Sequence, residues 1–248
     1  MIDLHCHILP GLDDGPGSFE ESLAMARMAA EDGVRVIVAT PHVDEQYAYP
    51  APELIRELTA RLNEMIESDG LPLRVLPGAE VRAAPELVEA LQAGRVMTVA
   101  DQGKYVLVEL PFAGHAVYAG DLFFRMQVAG YTPILAHAER IEWLRRHPDL
   151  LQQFKDRGVR VQINAESVSG RAGRGLRLEA LRLAKEGLAD VLASDGHSAT
   201  RRKPLLSVAQ RNLRGRPGLF ESLTQTVPEK IISVVAQPTR ASKANDQG

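Results

Sequence analysis

Nine side chains in this sequence have the types that hold divalent cations: His5, His7, His42, His137 and His197, with Asp14, Glu80, Glu109 and Asp195. Imidazole nitrogen combined with carboxylate oxygen suits Mn, Fe, Co or Zn, among which availability decides as much as affinity. Taken singly, each residue is weak evidence. An isolated histidine is more often a surface or satisfied core residue than a ligand, and an isolated glutamate is usually solvated. His115 and His147 are read in that way, the latter as an exposed helix start in Arg145-Arg146-His147-Pro148. Position gives the others their weight, because five of the seven histidines fall at the ends of candidate strands. Side chains two apart in a strand share a face. His5 and His7 are therefore expected to point together, with Cys6 opposite, and the same argument is applied to Asp195 and His197.

The elements that must position these groups are short and alternate in type. The β-branched run 34–39 (Val-Arg-Val-Ile-Val-Ala) reads as a buried strand, as do 73–77, 105–110, 132–136, 159–163 and 191–193, with 2–4 as the first. Between them lie helical patterns. Ser18 precedes Glu21 by three residues, a capping box opening a helix to about residue 32, where Gly33 ends it. Pro52 sits in the first turn of a helix to about residue 68, with Gly70 beyond. A short helix is expected from Pro85 to near Gly94, and two more over 122–129 and 176–185, closed by Gly130 and Gly187. Strands alternating with helices imply a parallel sheet, and seven such units suggest a barrel. In such folds the site forms at the carboxyl ends of the strands, where residues distant in sequence converge. One domain is expected over 1–240, and 241–248 is expected to be a fraying polar tail.

Bulk properties remove several function classes. The 248 residues carry 29 Lys+Arg against 32 Asp+Glu, a formal charge of −3, so the basic excess of a nucleic-acid binder is lacking. Arginines at 177 and 182 read as a solvated helix face. Cys6 is the sole cysteine, which rules out a disulfide framework and fits a reducing compartment. No signal-peptide pattern or membrane-length apolar run is seen, so a cytoplasmic protein without membrane insertion is expected. Cys6 does not open a Cys-x5-Arg phosphatase motif, because the sixth residue after it is Leu12. It is read as a small hydrophobe behind the first strand.

In order, His5-x-His7, Asp13-Asp14-Gly15-Pro16, Thr40-Pro41-His42, Gly78-Ala79-Glu80, Glu109, His137-Ala138-Glu139-Arg140 and Ser194-Asp195-Gly196-His197 resemble the PHP (polymerase and histidinol phosphatase) superfamily. The match is nearest to its bacterial capsule-type tyrosine-protein phosphatases and extends from Met1 to a helix around 228–234. The order and spacing are specific, whereas any one motif is not. The resemblance implies an α/β fold, a distorted TIM-like (βα)7 barrel. It also implies three divalent ions, with Mn favoured and Fe, Co or Zn open. The implied reaction is hydrolysis of phosphotyrosine on proteins that regulate polysaccharide export, with a bacterial tyrosine kinase as one such protein.

Residue by residue, the resemblance implies that His5, His7, Glu80 and Asp195 share one metal and that Asp14 and His197 complete another position. Glu80 would bridge, and His42, Glu109 and His137 would hold the third ion. Arg140 and Arg202 would grip phosphoryl oxygens, although Arg201 competes for the second role, since Lys203 stands where the family has proline. With these arginines, Asp14 counts as a candidate catalytic residue as well as a ligand. The expected chemistry is in-line attack of a metal-bound hydroxide on phosphorus. Alternatives are a small-molecule phosphatase such as a histidinol-phosphate phosphatase, a TatD-like metal nuclease, and a PHP module retained only for interaction. Tyr47 and Tyr49 fit either a pocket mouth or loop packing, and neither the general acid nor the oligomeric state is legible.

Overall fold

A computed structural model describes residues 1–47, 49–114 and 116–233; the readings of His115 and of the tail 241–248 lie outside the described residues. The strands are β1 (Ile2–Cys6), β2 (Val36–Ala39), β3 (His42–Val43), β4 (Arg74–Pro77), β5 (Glu80–Arg82), β6 (Tyr105–Glu109), β7 (Thr132–Leu135), β8 (Arg160–Asn164) and β9 (Val191–Ala193). Their pairings are parallel, in the orders β1-β2-β4 and β3-β5-β6-β7-β8-β9. Two of the expected strands, 34–39 and 73–77, are each followed by a short further strand, β3 and β5, that the sequence reading did not include. Between β2 and β3 stands Pro41, which has no N–H to give a ladder. Between β4 and β5 stands Gly78, where a Cβ would come within 2.7 Å of the Val38 side chain. The sheet curls until its last strand meets its first: Asp195 N donates to His5 O and His7 N donates to Gly196 O, both at 2.8 Å.

The helices α1 (Phe19–Glu31), α2 (Pro52–Ser68), α3 (Leu87–Gln92), α4 (Ala119–Val128), α5 (Glu142–Arg146), α6 (Pro148–Asp156), α7 (Ala165–Ser169) and α8 (Arg174–Lys185) lie between the strands. Ser18 caps α1, its Oγ accepting from Glu21 N at 3.3 Å. The reciprocal arm of the capping box lands one residue early, since Glu21 accepts from Gly17 N at 2.6 Å. Helix α6 begins at Pro148 with exposed His147 just before it, in line with the helix start read there; α5 and α7 have no counterpart in the sequence reading, and each is five residues long, too short to display a helical period. Among the described residues no helix is long and apolar enough to cross a membrane.

Two apolar clusters fill the molecule. The larger joins Ile37, Val75, Val106, Val161 and Leu192 to Met25 of α1, Leu62 of α2 and Phe123 of α4, so it lies between sheet and helices. The smaller gathers Ile2, Leu4, Val38, Leu107, Ile134, Val191 and Ala193, the alternate residues of the same strands, with Ile231 from the last described helix, Val227–Ile232. It occupies the concave face of the sheet.

Candidate metal centre

Strand phase decides which side chains enter the concave face beyond the small cluster. On β6, Leu107 belongs to that cluster, so Glu109 two residues on follows it inward. His42 pairs with Glu80 and Glu80 with Leu107 in the ladder, which places both ligand candidates on the same face. β1 needs a correction of phase. Ile2 and Leu4 face inward, yet Cys6 belongs to the outer cluster. A register shift between Asp3 and Cys6, against Ile37 and Ala39 on β2, supplies the extra residue. Such bulges re-aim side chains, and this one turns His5 and His7 into the mouth.

Two candidates arrive by a different device. His137 and Asp195 follow β7 and β9 in the left-handed region, with φ of 30° and 52°. That conformation costs a non-glycine residue on the order of 1–3 kcal/mol and persists where the surroundings impose it. The strand-alternation argument for Asp195 and His197 therefore fails: β9 ends at Ala193, and His197 folds back so that its Nδ1 lies 2.9 Å from Asp195 O. Gly196 between them must be glycine, because a Cβ there would meet Pro204 Cα at 2.8 Å.

The nine candidates converge. His5 Nε2 and His7 Nε2 are 3.1 Å apart. Glu80 Oε2 lies 3.2 Å from His5 Nε2, 3.3 Å from His7 Nε2 and 3.1 Å from His42 Nδ1. Asp195 Oδ1 lies 3.5 and 3.6 Å from the same two ring nitrogens of His5 and His7. Glu80 Oε1 lies 2.8 Å from His137 Nε2, which faces Glu109 at 3.6 Å. Asp14 faces His197 Nε2 at 3.1 Å and His42 Nε2 at 3.7 Å. His42 thus groups with His7, Asp14 and His197, and separately with Asp44 and Glu109, whereas Glu109 and His137 form a set with Glu80. Among these sets Glu109 appears with His42 and, separately, with His137, but no set holds all three.

This donor set fits divalent cations. Glu80 Oε2 is buried and meets three imidazole nitrogens without hydrogen-bond alignment to any of them. Nitrogen lone pairs and carboxylate oxygens crowded on a common centre are an arrangement that a cation reconciles. The field points the same way. Burial opposes charge on Glu80, yet His5, His137 and His42 hold its carboxyl well below the usual range. Burial likewise disfavours the His7 imidazolium, but Asp13 and then Glu80 outweigh it and push its pKa up to about 10. Hydrogen bonding from His197 holds Asp14 at about 2. Burial and the adjacent Glu80 charge raise Glu109. Carboxylates that keep their charge at this mouth, as Glu80 and Asp14 do, attract positive charge there.

Two guanidinium groups border the cluster. Arg202 Nη2 lies 2.7 Å and Arg140 Nη1 3.3 Å from Asp195 Oδ2. Arg201 is exposed, its backbone N donating to Ser198 Oγ, so Arg202 is the arginine that reaches the cluster. Several supporting residues were not singled out from sequence. Asp13 accepts from His7 Nδ1 at 2.6 Å and from His42 N at 3.0 Å. Gln162 Oε1 accepts from His137 N at 2.7 Å and faces His5 Nδ1 at 3.2 Å, while its Nε2 donates to Asn164 Oδ1. Asn164 Nδ2 in turn donates to Asp195 Oδ2 at 2.7 Å. The available signal is the pair of amides at alternate positions of β8, Gln162 and Asn164, interleaved with the apolar Val161 and Ile163. Such contacts fix ring tautomers and leave the opposite nitrogen for a metal. Cys6, fully buried, faces Gly196 O at 3.5 Å from behind β1.

Residues 1–233 match the family model for capsular polysaccharide synthesis, CpsB/CapC. The chain is 39% identical over 202 residues to the tyrosine-protein phosphatase YwqE of Bacillus subtilis, covering 82% of this chain and 79% of the relative. It is 31% identical over 241 residues to the tyrosine-protein phosphatase CpsB of Streptococcus pneumoniae, covering 94% and 98%. A crystal structure from work on YwqE and CpsB, described there as unique metal-dependent tyrosine phosphatases, superposes with a TM-score of 0.89 at 36% identity, over 96% of this chain and 98% of that one. A β-aspartyl dipeptidase from Fervidobacterium islandicum shares the fold alone, with a TM-score of 0.57 at 16% identity, over 93% of this chain and 72% of that one.

Proposed function

The chain belongs to the CpsB/CapC family of capsular polysaccharide synthesis, and from that membership we propose that it is a metal-dependent phosphomonoesterase hydrolysing phosphotyrosine on proteins. The observation that carries this reading is the meeting of Arg140 and Arg202 on Asp195, whose other oxygen faces His5 and His7. Cationic donors of that kind beside a metal-type cluster match a phosphoryl group, which needs both its oxygens held and its charge offset. The names of YwqE and CpsB as tyrosine-protein phosphatases support the substrate class.

We read the curled sheet as a distorted (βα)7 barrel, counting β2 with β3 and β4 with β5 as single strands, and 1–233, the described part of the expected 1–240, as one domain. His5, His7, Glu80 and Asp195 would hold one ion and Asp14, His42 and His197 a second. Glu109 and His137 would hold a third with Glu80 bridging; manganese is favoured, with Fe, Co or Zn open. Bound divalent ions would supply Lewis-acid polarisation of the phosphoryl group and acidify a water.

The chain's own residues do the rest. Arg140 and Arg202 orient the phosphoryl oxygens and stabilise charge on them as the ester bond breaks. Asp13 and Gln162 hold the Nδ1 protons of His7 and His5, so that both Nε2 lone pairs face the centre. A tyrosyl leaving group has a pKa of about 10, so the demand for a proton donor is modest. A bacterial tyrosine kinase in the cytoplasm is the class of protein substrate that fits.

The test is to strip the protein with chelator, restore single metals, and compare a phosphotyrosyl peptide, histidinol phosphate and DNA. Metal-dependent turnover of the peptide above histidinol phosphate is the expected result. Preference for histidinol phosphate, or DNA digestion without phosphomonoesterase activity, would overturn the reading.

A further inference from the structure

Three clefts open around the candidate ligands, and their walls differ. One, of about 200 Å³, is lined by Arg140, Asn164, Ser167 and Arg202. A second, of about 720 Å³, runs past Asp14, Pro16, Thr200 and Arg201. The third, of about 220 Å³, opens beside His42 and Glu109 and is walled by Tyr47, Leu110, Pro111 and Phe112. Among the described residues lining these three clefts, only the third contributes aromatic rings other than imidazole.

Both rings are braced against the metal-type cluster. Tyr47 lies parallel to the His42 ring, with centroids 5.2 Å apart and 7° between planes, and its hydroxyl accepts from Gln46 Nε2 at 3.0 Å. Phe112 meets His137 edge-on at 5.1 Å and carries the Arg140 guanidinium over its face at 4.6 Å. Phe112 is nonetheless 38% exposed. A large apolar ring left facing water at the rim of a polar site is informative in a way that a scattered surface leucine is not. The guanidinium assigned to the phosphoryl group thus rests on the ring that walls this cleft, so an ester gripped by Arg140 has its substituent within reach of it.

We propose that this cleft is an aryl subsite in which Tyr47 and Phe112 receive the ring of the substrate, selecting aromatic over aliphatic phosphomonoesters. The inference rests on the phosphomonoesterase reading and adds to it the residues that set substrate class. Braced rings offer a substrate ring edge-on and offset-stacked contacts at little entropic cost. An aliphatic ester such as phosphoserine leaves those contacts unmade.

The experiment compares metal-loaded wild type with Tyr47→Ala, Phe112→Ala, Tyr47→Phe and Tyr49→Ala. Turnover of phenyl phosphate and a short-chain alkyl phosphate is measured, and binding of phenylphosphonate and methylphosphonate is titrated calorimetrically. The aryl-to-alkyl ratio falls about tenfold in each of the first two variants, mainly through KM and through phenylphosphonate affinity; tenfold corresponds to about 1.4 kcal/mol. Phe112→Ala also slows both esters, because Arg140 loses its support, so the ratio is the reading that reports the subsite. Tyr47→Phe keeps the ring and the ratio. Tyr49→Ala keeps it too, since Tyr49 is 57% exposed and lines a different groove beside Arg95 and Tyr118. If wild type turns over phenyl phosphate and its aryl preference survives both ring deletions, the subsite is refuted and the phosphatase reading stands. If wild type hydrolyses no phosphomonoester, both fall.

Discussion

Leu107 and Glu109 are two residues apart on one strand and face the same way, yet they live in different media. Leu107 is 1% exposed in a cluster of apolar side chains that lines the concave face of the sheet. Glu109 faces His137 at 3.6 Å within a layer of imidazoles and carboxylates. On β1 the bulge makes the corresponding change from Leu4 to His5 in a single residue. The lower layer gains free energy from burial in proportion to area. The upper layer spends it, because buried ionisable groups are costly without partners and His137 and Asp195 are held in left-handed backbone. One set of strands thus supplies stability at its amino ends and chemistry at its carboxyl ends. The two layers should respond oppositely to substitution.

The largest effect is expected from Glu80→Ala. Glu80 faces His5, His7, His42 and His137 at once. Phosphatase activity should fall on the order of a thousandfold or more, with loss of bound metal measured by elemental analysis. The metal-free variant should melt only modestly below the metal-free parent, because the imidazoles that lose their carboxylate partner can shed their protons. A large fall in the melting temperature of the metal-free protein would mean that the upper layer holds the fold together, and the contrast would break.

Next come the neighbouring arginines. Arg202→Ala should cost about a hundredfold in kcat/KM, in the range of a lost transition-state donor. Arg201→Ala should cost less than about threefold, as a solvated charge does. Comparable losses in steady-state assays would remove the geometric assignment of Arg202.

Much of this contrast was legible before the fold. The five histidines and their carboxylates sit at strand ends because those ends are marked by short β-branched runs followed by glycine, proline or a capped helix, all local signals. What was not legible depends on non-local geometry. The bulge in β1 exists only relative to β2, so nothing in Ile2-Asp3-Leu4-His5 announces it. The Asp195 and His197 argument assumed extended backbone that β9 does not reach. That Asp14, twenty-eight residues earlier in a loop, comes within 3.7 Å of His42 is likewise a matter of tertiary geometry. The spacing of Gln162 and Asn164 puts two amides on one strand face but does not say what that face meets, which here is His137 and Asp195.

A fourth substitution works on the lower layer. Leu107→Ala should lower stability by about 2–5 kcal/mol through lost burial and a residual cavity. Activity per folded molecule should stay near that of the parent. Urea unfolding together with an assay below the transition measures both. A variant equally stable but inactive would show that the two layers are not separable.

The smallest effect is expected from Cys6→Ser, and it sharpens the comparison because Cys6 lies between two upper-layer histidines yet belongs to neither layer. The bulge that turns His5 and His7 inward sends Cys6 out to the helix-facing cluster, fully buried. Burial, followed by the charge of Asp3, pushes its thiol pKa up, so at neutral pH the group stays protonated and is a poor nucleophile. Serine keeps a donor for Gly196 O, where the thiol now points. The cost should be about 1 kcal/mol of stability for a polar atom in an apolar pocket, visible as a small drop in melting temperature, with most of the activity retained. His7→Ala, one residue away in sequence but inside the mouth, should abolish turnover. Should Cys6→Ser fall to the level of His7→Ala while remaining folded, a thiol would be implicated in the chemistry and the case for a metal-dependent mechanism would fail, because nothing in that mechanism calls on a group behind the strand.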